Sequence, residues 1–330
     1  MPGAVPRTGR AAGATRPAAP TIDEDALARV RAELSAWYPQ VARDFPWRRP
    51  DRTPWGVLVS EVMAQQTPMM RVEPRWDEWM RRWPTPAAAA AAPRSDALRV
   101  WGNLGYPRRA LRLLEAAGAI AADPALASLF TRPASDVGQV PADIDARLRA
   151  LPGVGDYTAA AVAAFALGRR ALVLDTNVRR VLARLFAGVD QPAGAPKAAE
   201  RALAEAVWPD EDAPAAAWSA HVMELGALVC RARTPLCDEC PVRGECAWLD
   251  AGSPRRDAPL ARQAWAGTDR QARGRILAAL RATSGAVTRR EALAVATLPG
   301  ADVDQAPRAL ASLKADGLVC VEGDLVSLPR

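Results

Sequence analysis

Apolar residues recur every three to four positions along most of the chain between Ile22 and Trp248, the period that gathers side chains onto one face of an α-helix. The pattern predicts a first helix carrying Leu27, Val30, Leu34 and Tyr38, with Asp23 or Asp25 placed to cap it. A loop bracketed by Pro46 and Pro54 separates it from a second, strongly apolar helix. Further helices are expected over 69–83, 95–101, 107–121, 143–150, 157–167, 177–187, 196–207 and 213–229. The Ala-rich stretch 84–93 carries too little pattern to assign. One residue breaks the logic of the second helix. In V-L-V-S-E-V-M-A-Q-Q-T, Glu61 shares a face with Leu58, Val62 and Gln65, and a carboxylate there costs free energy unless it is paired or stays protonated.

The helical period supports one domain over 23–248, and after Trp248 the pattern changes. Residues 249–268 are polar, with Gly and Pro, and read as a linker. From 269 to 330, three amphipathic segments, the last ended by Gly317, precede the alternation L-V-C-V-E-G-D-L-V-S-L. That alternation predicts a β-hairpin turning at Glu322-Gly323-Asp324. The outline is that of a small winged-helix-like module. At the other end, residues 1–22 hold Arg7, Arg10 and Arg16 with no acid, and are expected to form a disordered basic arm.

Composition narrows the class. A net charge of +6 and a pI near 9.5 are compatible with a polyanionic partner without requiring one. No apolar run reaches membrane-spanning length, and the N-terminus lacks the apolar core of a signal peptide. Four of the five cysteines crowd between 230 and 246, which is unlike a secreted disulfide scaffold. A cytoplasmic protein is therefore expected, without a membrane partner.

Three features carry chemistry. Cys230, Cys237, Cys240 and Cys246 stand as C-x6-C-x2-C-x5-C. Thiolates so placed suit zinc or an iron–sulfur cluster, and the uneven flanking loops favour [4Fe–4S] over the paired knuckles of structural zinc. Cys320, on the predicted hairpin, reads as a core residue. Leu151-Pro152-Gly153-Val154-Gly155 turns between two apolar helices. Its glycines allow φ > 0 and close approach of another backbone, and the amides that follow suit a phosphate. In Val173-Leu174-Asp175-Thr176-Asn177 any of the last three residues could cap the next helix. A carboxylate at a helix start is expected to keep its charge.

Together these motifs resemble the endonuclease III superfamily of DNA glycosylases, whose helix–hairpin–helix looks like L-P-G-V-G-D-Y-T-A and whose cysteine cluster is structural. Bifunctional members carry a lysine where this chain has Tyr157, so the resemblance implies a monofunctional enzyme that uses water. The segment S-E-V-M-A-Q-Q-T resembles that of the MutY family of adenine DNA glycosylases, as do P-W-R (46–48), L-G-Y (104–106) and M-E-L-G-A (223–227). The resemblance covers about 30–248 and implies a mainly α, helix–hairpin–helix glycosylase with a [4Fe–4S] loop at 230–246. It implies removal of adenine mispaired with 8-oxoguanine or guanine in double-stranded DNA, by a monomer associated with the nucleoid.

The residue roles follow from the same likeness. Glu61 would protonate adenine and activate water, Asp175 would stabilise the cationic sugar, and Tyr157 and Asn177 would position the carboxylates. Arg48 and Glu224 would bind the extruded base, Trp47 would line its pocket, and Gln65 and Tyr106 would fill the stack it leaves. Gly153, Val154 and Gly155 would hold backbone phosphate, as would Arg231, Arg233 and Arg243 around the cysteines. His221 is read as packing or surface. The chain departs from the family in showing no Nudix-type signature over 249–330, which leaves 8-oxoguanine recognition to the catalytic domain or to the small module. Thr176 also stands where many members have glycine. Two alternatives stay open at this point. One is a thymine or uracil mismatch glycosylase of the same fold, and the other is an iron–sulfur winged-helix regulator without enzymatic activity.

Overall fold

The computed structural model describes residues 22–255 and 265–330. The basic arm predicted for 1–22 (Ile22 apart) and positions 256–264 of the predicted linker lie outside the described residues.

Helices dominate, as the apolar period predicts. They run α1 (Glu24–Val41), α2 (Pro54–Ala64), α3 (Met69–Arg82), α4 (Pro86–Ala90), α5 (Arg94–Trp101), α6 (Arg108–Ala122) and α7 (Pro124–Thr131). There follow α8 (Ile144–Ala150), α9 (Asp156–Leu167), α10 (Thr176–Ala187), α11 (Ala198–Val207), α12 (Asp212–Leu228) and the short α13 (Ala247–Asp250). Asp23, not Asp25, caps α1 by accepting the amides of Asp25 and Ala26. Three helices escape the apolar pattern, among them the four-residue α13, which runs into the predicted linker. In α4, Thr85 caps and Pro86 opens a helix made almost wholly of alanine. In α7, Asp123 caps and Pro124 opens, a start signal that polar–proline pairs carry even when the apolar period is short.

The core divides into two clusters. One gathers α2 to α9, with Trp55, Trp79 and Trp101 fully buried. The other joins α1 to α10–α13 through Leu34, Val178, Val222 and Trp248. The chain crosses from the first to the second between Val173 and Leu174, just before Asp175. Residues that converge from both clusters therefore meet at a seam, which positions the site.

The C-terminal stretch holds α14 (Asp269–Ala282), β1 (Val287–Thr288), α15 (Arg289–Ala296), α16 (Gln305–Ala315), β2 (Cys320–Glu322) and β3 (Leu325–Ser327). Three helices and a hairpin match the expected order. The two-residue β1 adds an edge, giving an antiparallel sheet in the order β1-β3-β2 with Val287 opposite Val326. Cys320 is half-buried on β2. Buried residues of this stretch join the first core cluster, and Arg99 reaches across to the Thr283 carbonyl at 3.1 Å. Among the described residues, no single helix is long and apolar enough to cross a membrane.

Candidate active site

Glu61 emerges from α2, whose N-terminus is set by Pro54 at the first helical position and by the Thr53 hydroxyl accepting the Gly56 amide at 3.1 Å. Its neighbours Val57, Leu58, Val62 and Met63 are buried. The hidden partner that the sequence left open is a phenol. Tyr157 Oη donates to Glu61 Oε2 at 2.9 Å. Burial pushes the Glu61 carboxyl up to about 7, the Tyr157 hydrogen bond opposes that rise, and the nearby Asp175 charge adds to it. Tyr157 itself is driven well above its usual range, first by burial and then by the Glu61 charge, so it stays a donor. The carboxyl is thus poised to hold a proton near neutrality, as its place in the sequence suggests.

Asp175 is the N-cap of α10. Its Oδ1 accepts the Val178 amide at 2.6 Å and its Oδ2 accepts Asn177 Nδ2 at 2.9 Å. Capping was expected to hold this carboxyl low, and the structure corrects that expectation. Burial at the seam raises it, against the lowering effect of the Val178 and Asn177 hydrogen bonds. A helix start seen in isolation is solvated, whereas this one lies beneath two packed clusters, so desolvation outweighs the amides.

Asn177 is held in turn. Arg180 Nη2 donates to Asn177 Oδ1 at 2.8 Å and to the Gly226 carbonyl at 2.7 Å, while its Nε donates to the Cys230 carbonyl at 2.7 Å. Hydrogen bonds therefore run from Asp175 through Asn177 and Arg180 to the first cysteine. Gly226, in the M-E-L-G-A motif, makes this possible: a Cβ there would lie 2.7 Å from Asn177 Cβ and 3.0 Å from its carbonyl. Gly226→Ala should consequently push Asn177 off Asp175. We expect the activity of the site to fall about tenfold or more, and stability by roughly 1–3 kcal/mol from overpacking, measured by single-turnover kinetics and thermal denaturation.

Glu224 is fully buried on α12 and serves as the anchor of a second cluster. Arg43 grips it with Nε to Oε1 and Nη2 to Oε2, both at 2.8 Å, and with its backbone amide at 3.0 Å. Arg48 Nη2 adds a bond to Oε2 at 2.9 Å. Burial alone would raise this carboxyl, but the two guanidinium groups pull it down to about 2. Both also lie over the Phe45 ring, at 5.0 and 5.2 Å. Arg43 is a site residue that the sequence reading missed. The signal lay in R-D-F-P-W-R, where a second arginine precedes the proline. Trp47 is buried, stacked on Phe45 and edge-on to Trp76, so packing accounts for most of its surface.

The two residues expected to fill the stack, Tyr106 and Gln65, differ in exposure. Tyr106 is exposed and has a left-handed backbone, φ 44°. Gln65 turns inward and donates to the Thr158 hydroxyl at 3.3 Å. Its neighbour Gln66 is the one exposed, with φ 53°. Sequence alone does not choose between adjacent glutamines, because the choice depends on how α2 ends. In the hairpin, Gly153 takes φ 79°, and a Cβ there would meet Arg112 Cβ at 2.9 Å, a side chain rather than the backbone expected. Gly155 caps α9 in extended geometry with open space around it, and Val154 is buried beneath the turn. His221 packs on Tyr38, with ring centroids 4.6 Å apart.

The four clustered cysteines line one apolar cavity with Val181, Leu185, Leu225 and Trp248. Arg184 donates to Cys230 Sγ at 3.4 Å while stacked over Trp248. Among the described residues, no three Cys, His, Asp or Glu side chains converge on a single-ion site. All-thiolate donors around a shared apolar cavity suit a bulky soft cluster. Arg231, Arg233 and Arg243 are exposed on this loop, with Arg243 paired to Asp238 at 2.6 Å.

A family model described as HhH-GPD superfamily base excision DNA repair protein matches residues 59–209. The chain is 52% identical over 288 residues to an adenine DNA glycosylase of Mycobacterium tuberculosis, covering 87% of this chain and 88% of that one. It is 47% identical over 287 residues to that of Mycolicibacterium smegmatis, covering 87% and 91%. Among solved structures, a thermostable thymine-DNA glycosylase aligns with a TM-score of 0.58 at 25% identity, over 69% of this chain and 98% of that one.

Proposed function

From the premise that this chain belongs to the adenine DNA glycosylase family, within the helix–hairpin–helix superfamily of base excision repair proteins, we propose that its substrate is adenine opposite 8-oxoguanine or guanine, removed without strand cleavage. It is a DNA N-glycosylase of mainly α fold. An enzyme-free iron–sulfur regulator is thereby set aside.

The observation that carries the mechanism is the pair of carboxyl groups at the seam, one hydrogen-bonded to a phenol and poised near neutral pH, the other capping a helix. In the proposed reaction the adenine leaves the stack, and the Glu61 carboxyl donates its proton to N7. The C1′–N9 bond then breaks with both electrons going to the base. Positive charge on the sugar is stabilised by Asp175, held by Val178, Asn177 and, through Asn177, by Arg180. Water attacks C1′ and gives its proton to the Glu61 carboxylate, which restores the acid. The products are free adenine and an abasic site. Tyr157 in place of a lysine supports hydrolysis over a Schiff base.

Arg43 and Arg48, fixed on Glu224, supply the donors for the extruded base, with Trp47 beside them. Gln66 joins Tyr106 at the gap in the stack, while Gln65 braces the turn from within. Gly153, Val154 and Gly155 present the turn to backbone phosphate, with the Val154 amide itself held by the Leu151 carbonyl at 3.1 Å. Cys230, Cys237, Cys240 and Cys246 would hold a [4Fe–4S] cluster, which when bound supplies a cross-link to the loop rather than chemistry at the base. We further propose that the protein acts as a monomer.

The alternative is a mismatch glycosylase for thymine or uracil; the structural relative at 25% identity is named a thymine-DNA glycosylase. One assay separates them. Duplexes carrying A opposite 8-oxoguanine, A·G, T·G and U·G are incubated with the protein and then cleaved with alkali. Alkali-dependent cleavage at adenine alone is expected. Cleavage at T·G or U·G in preference to adenine overturns the substrate assignment, and cleavage without alkali overturns the monofunctional one.

A further inference from the structure

A cleft of about 360 Å³ opens where the start of α6 meets the C-terminal stretch, a size within the roughly 300–1,000 Å³ range of ligand pockets. Gln66, Tyr106 and Arg108 line one side, and Arg273, Asp316 and Leu318 the other. Among the described residues, the non-glycine positions with left-handed backbone are Gln66, Tyr106 and Ser253, and the first two stand at this cleft. Backbone held in this region persists only where its surroundings over-determine it, and it gathers at ligand sites. Here Arg109 donates to the carbonyls of Val62, Gln65 and Gly105 and lies 5.3 Å over the Tyr106 ring. The Thr67 hydroxyl ties the same turn to the Leu104 carbonyl at 3.0 Å.

The facing wall is organised by one carboxylate. Asp316, at the end of α16, accepts Arg108 Nη1 on Oδ1 at 3.1 Å and Arg273 Nη2 on Oδ2 at 2.5 Å. Arg273 also donates to the Ser312 hydroxyl. A carboxylate has about four lone-pair sites. Each Asp316 oxygen is engaged once here, so each keeps an acceptor position, and its side chain is 25% exposed. The carboxylate is therefore fixed in place by two guanidinium groups without being saturated by them.

We propose that this cleft receives the base opposite the extruded adenine, and that Asp316 reads its N7 position. The inference rests on the adenine glycosylase reading and adds the residue that sets specificity for the opposite base. Guanine N7 is a bare acceptor, whereas oxidation at C8 places a hydrogen on N7 and a carbonyl at C8. The carboxylate accepts the N7–H of the oxidised base in a charge-assisted bond. Against guanine it meets a second lone pair, and two acceptors left facing each other cost roughly 10- to 100-fold in binding. Arg108 and Arg273 flank the carboxylate with donors suited to the carbonyl. Tyr106 and Leu318 give the base apolar faces.

The test compares single-turnover adenine excision from A·8-oxoguanine and A·G duplexes by the full chain. Wild type is expected to favour 8-oxoguanine, and in Asp316→Ala that preference should fall about tenfold or more. Asp316→Asn, which keeps the shape and adds an amide donor for guanine N7, should lose preference mainly through faster A·G excision. Lys314→Ala, exposed on the same helix, should keep the wild-type ratio. An unchanged ratio in both Asp316 variants, or equal losses on both duplexes, overturns the inference. Wild type that releases adenine with no preference also overturns it and leaves the glycosylase reading standing. Wild type that releases no adenine from either duplex overturns that underlying reading.

Discussion

Glu61→Gln is expected to lower the single-turnover rate of adenine release by about 10³-fold or more, the upper part of the range for a lost general acid, while duplex binding stays within a few-fold. Gln has nearly the shape of Glu and still accepts from Tyr157, so the change removes the proton and little else. Stability should move the opposite way. The Glu61 carboxyl is pushed up to about 7 by burial, above the usual carboxylate value near 4.3. As pH rises from about 4.3 through about 7, the unfolded chain loses this proton first, so the folded state is progressively disfavoured. At pH 8 the ionised Glu61 therefore costs stability that Gln does not, on the order of 1–3 kcal/mol. The variant should melt a few degrees higher at pH 8 and show no such gain at pH 4. The wild-type rate should also decline above about pH 7, as the acid ionises. Near-normal turnover in the variant, or a lower Tm at pH 8, would remove Glu61 from the role of acid.

Asp175→Ser separates capping from catalysis. Serine is as good an N-cap as aspartate, so its hydroxyl should accept the Val178 amide now taken by Asp175 Oδ1. The variant should fold with a Tm within a few degrees of wild type. It nevertheless removes the negative charge beneath the sugar, and loss of one such electrostatic stabiliser costs roughly 10²–10³-fold. If capping were the whole of its role, excision would be retained. A tenfold or smaller loss sinks the assignment. Asp175→Asn is a poorer choice, because its amide would face the Asn177 amide that now donates to Oδ2.

Much of the site was legible as motif and little as geometry. Glu61 was visible because a charge on an apolar helix face has few explanations. Its partner Tyr157, ninety-six positions away, was named by the family likeness as positioning the carboxylates and by no local pattern. Glu224 was read as a base contact from its motif, yet its burial is explained by Arg43 and Arg48, brought to it from the opposite end of the domain. Gly226 carried no signal by itself, since only the approach of Asn177 makes a side chain intolerable there. In the fold, α7 was signalled by Asp123-Pro124 and passed over because its apolar run spans barely two turns.

By itself the sequence determined the helical class, the chemical character of each motif and the order in which they occur, because apolar period, caps and donor types are local properties. It also placed Glu61 where only a proton or a partner would make it tolerable. Tertiary structure alone decided the environments. Asp175 shows this most plainly: its neighbours in sequence predict a lowered carboxyl, and packing between two core clusters raises it. The same holds for Gln66 over Gln65, and for Asp316 across the cleft from Tyr106. Desolvation and close approach depend on what comes to lie against a residue from far along the chain, and no local pattern encodes that.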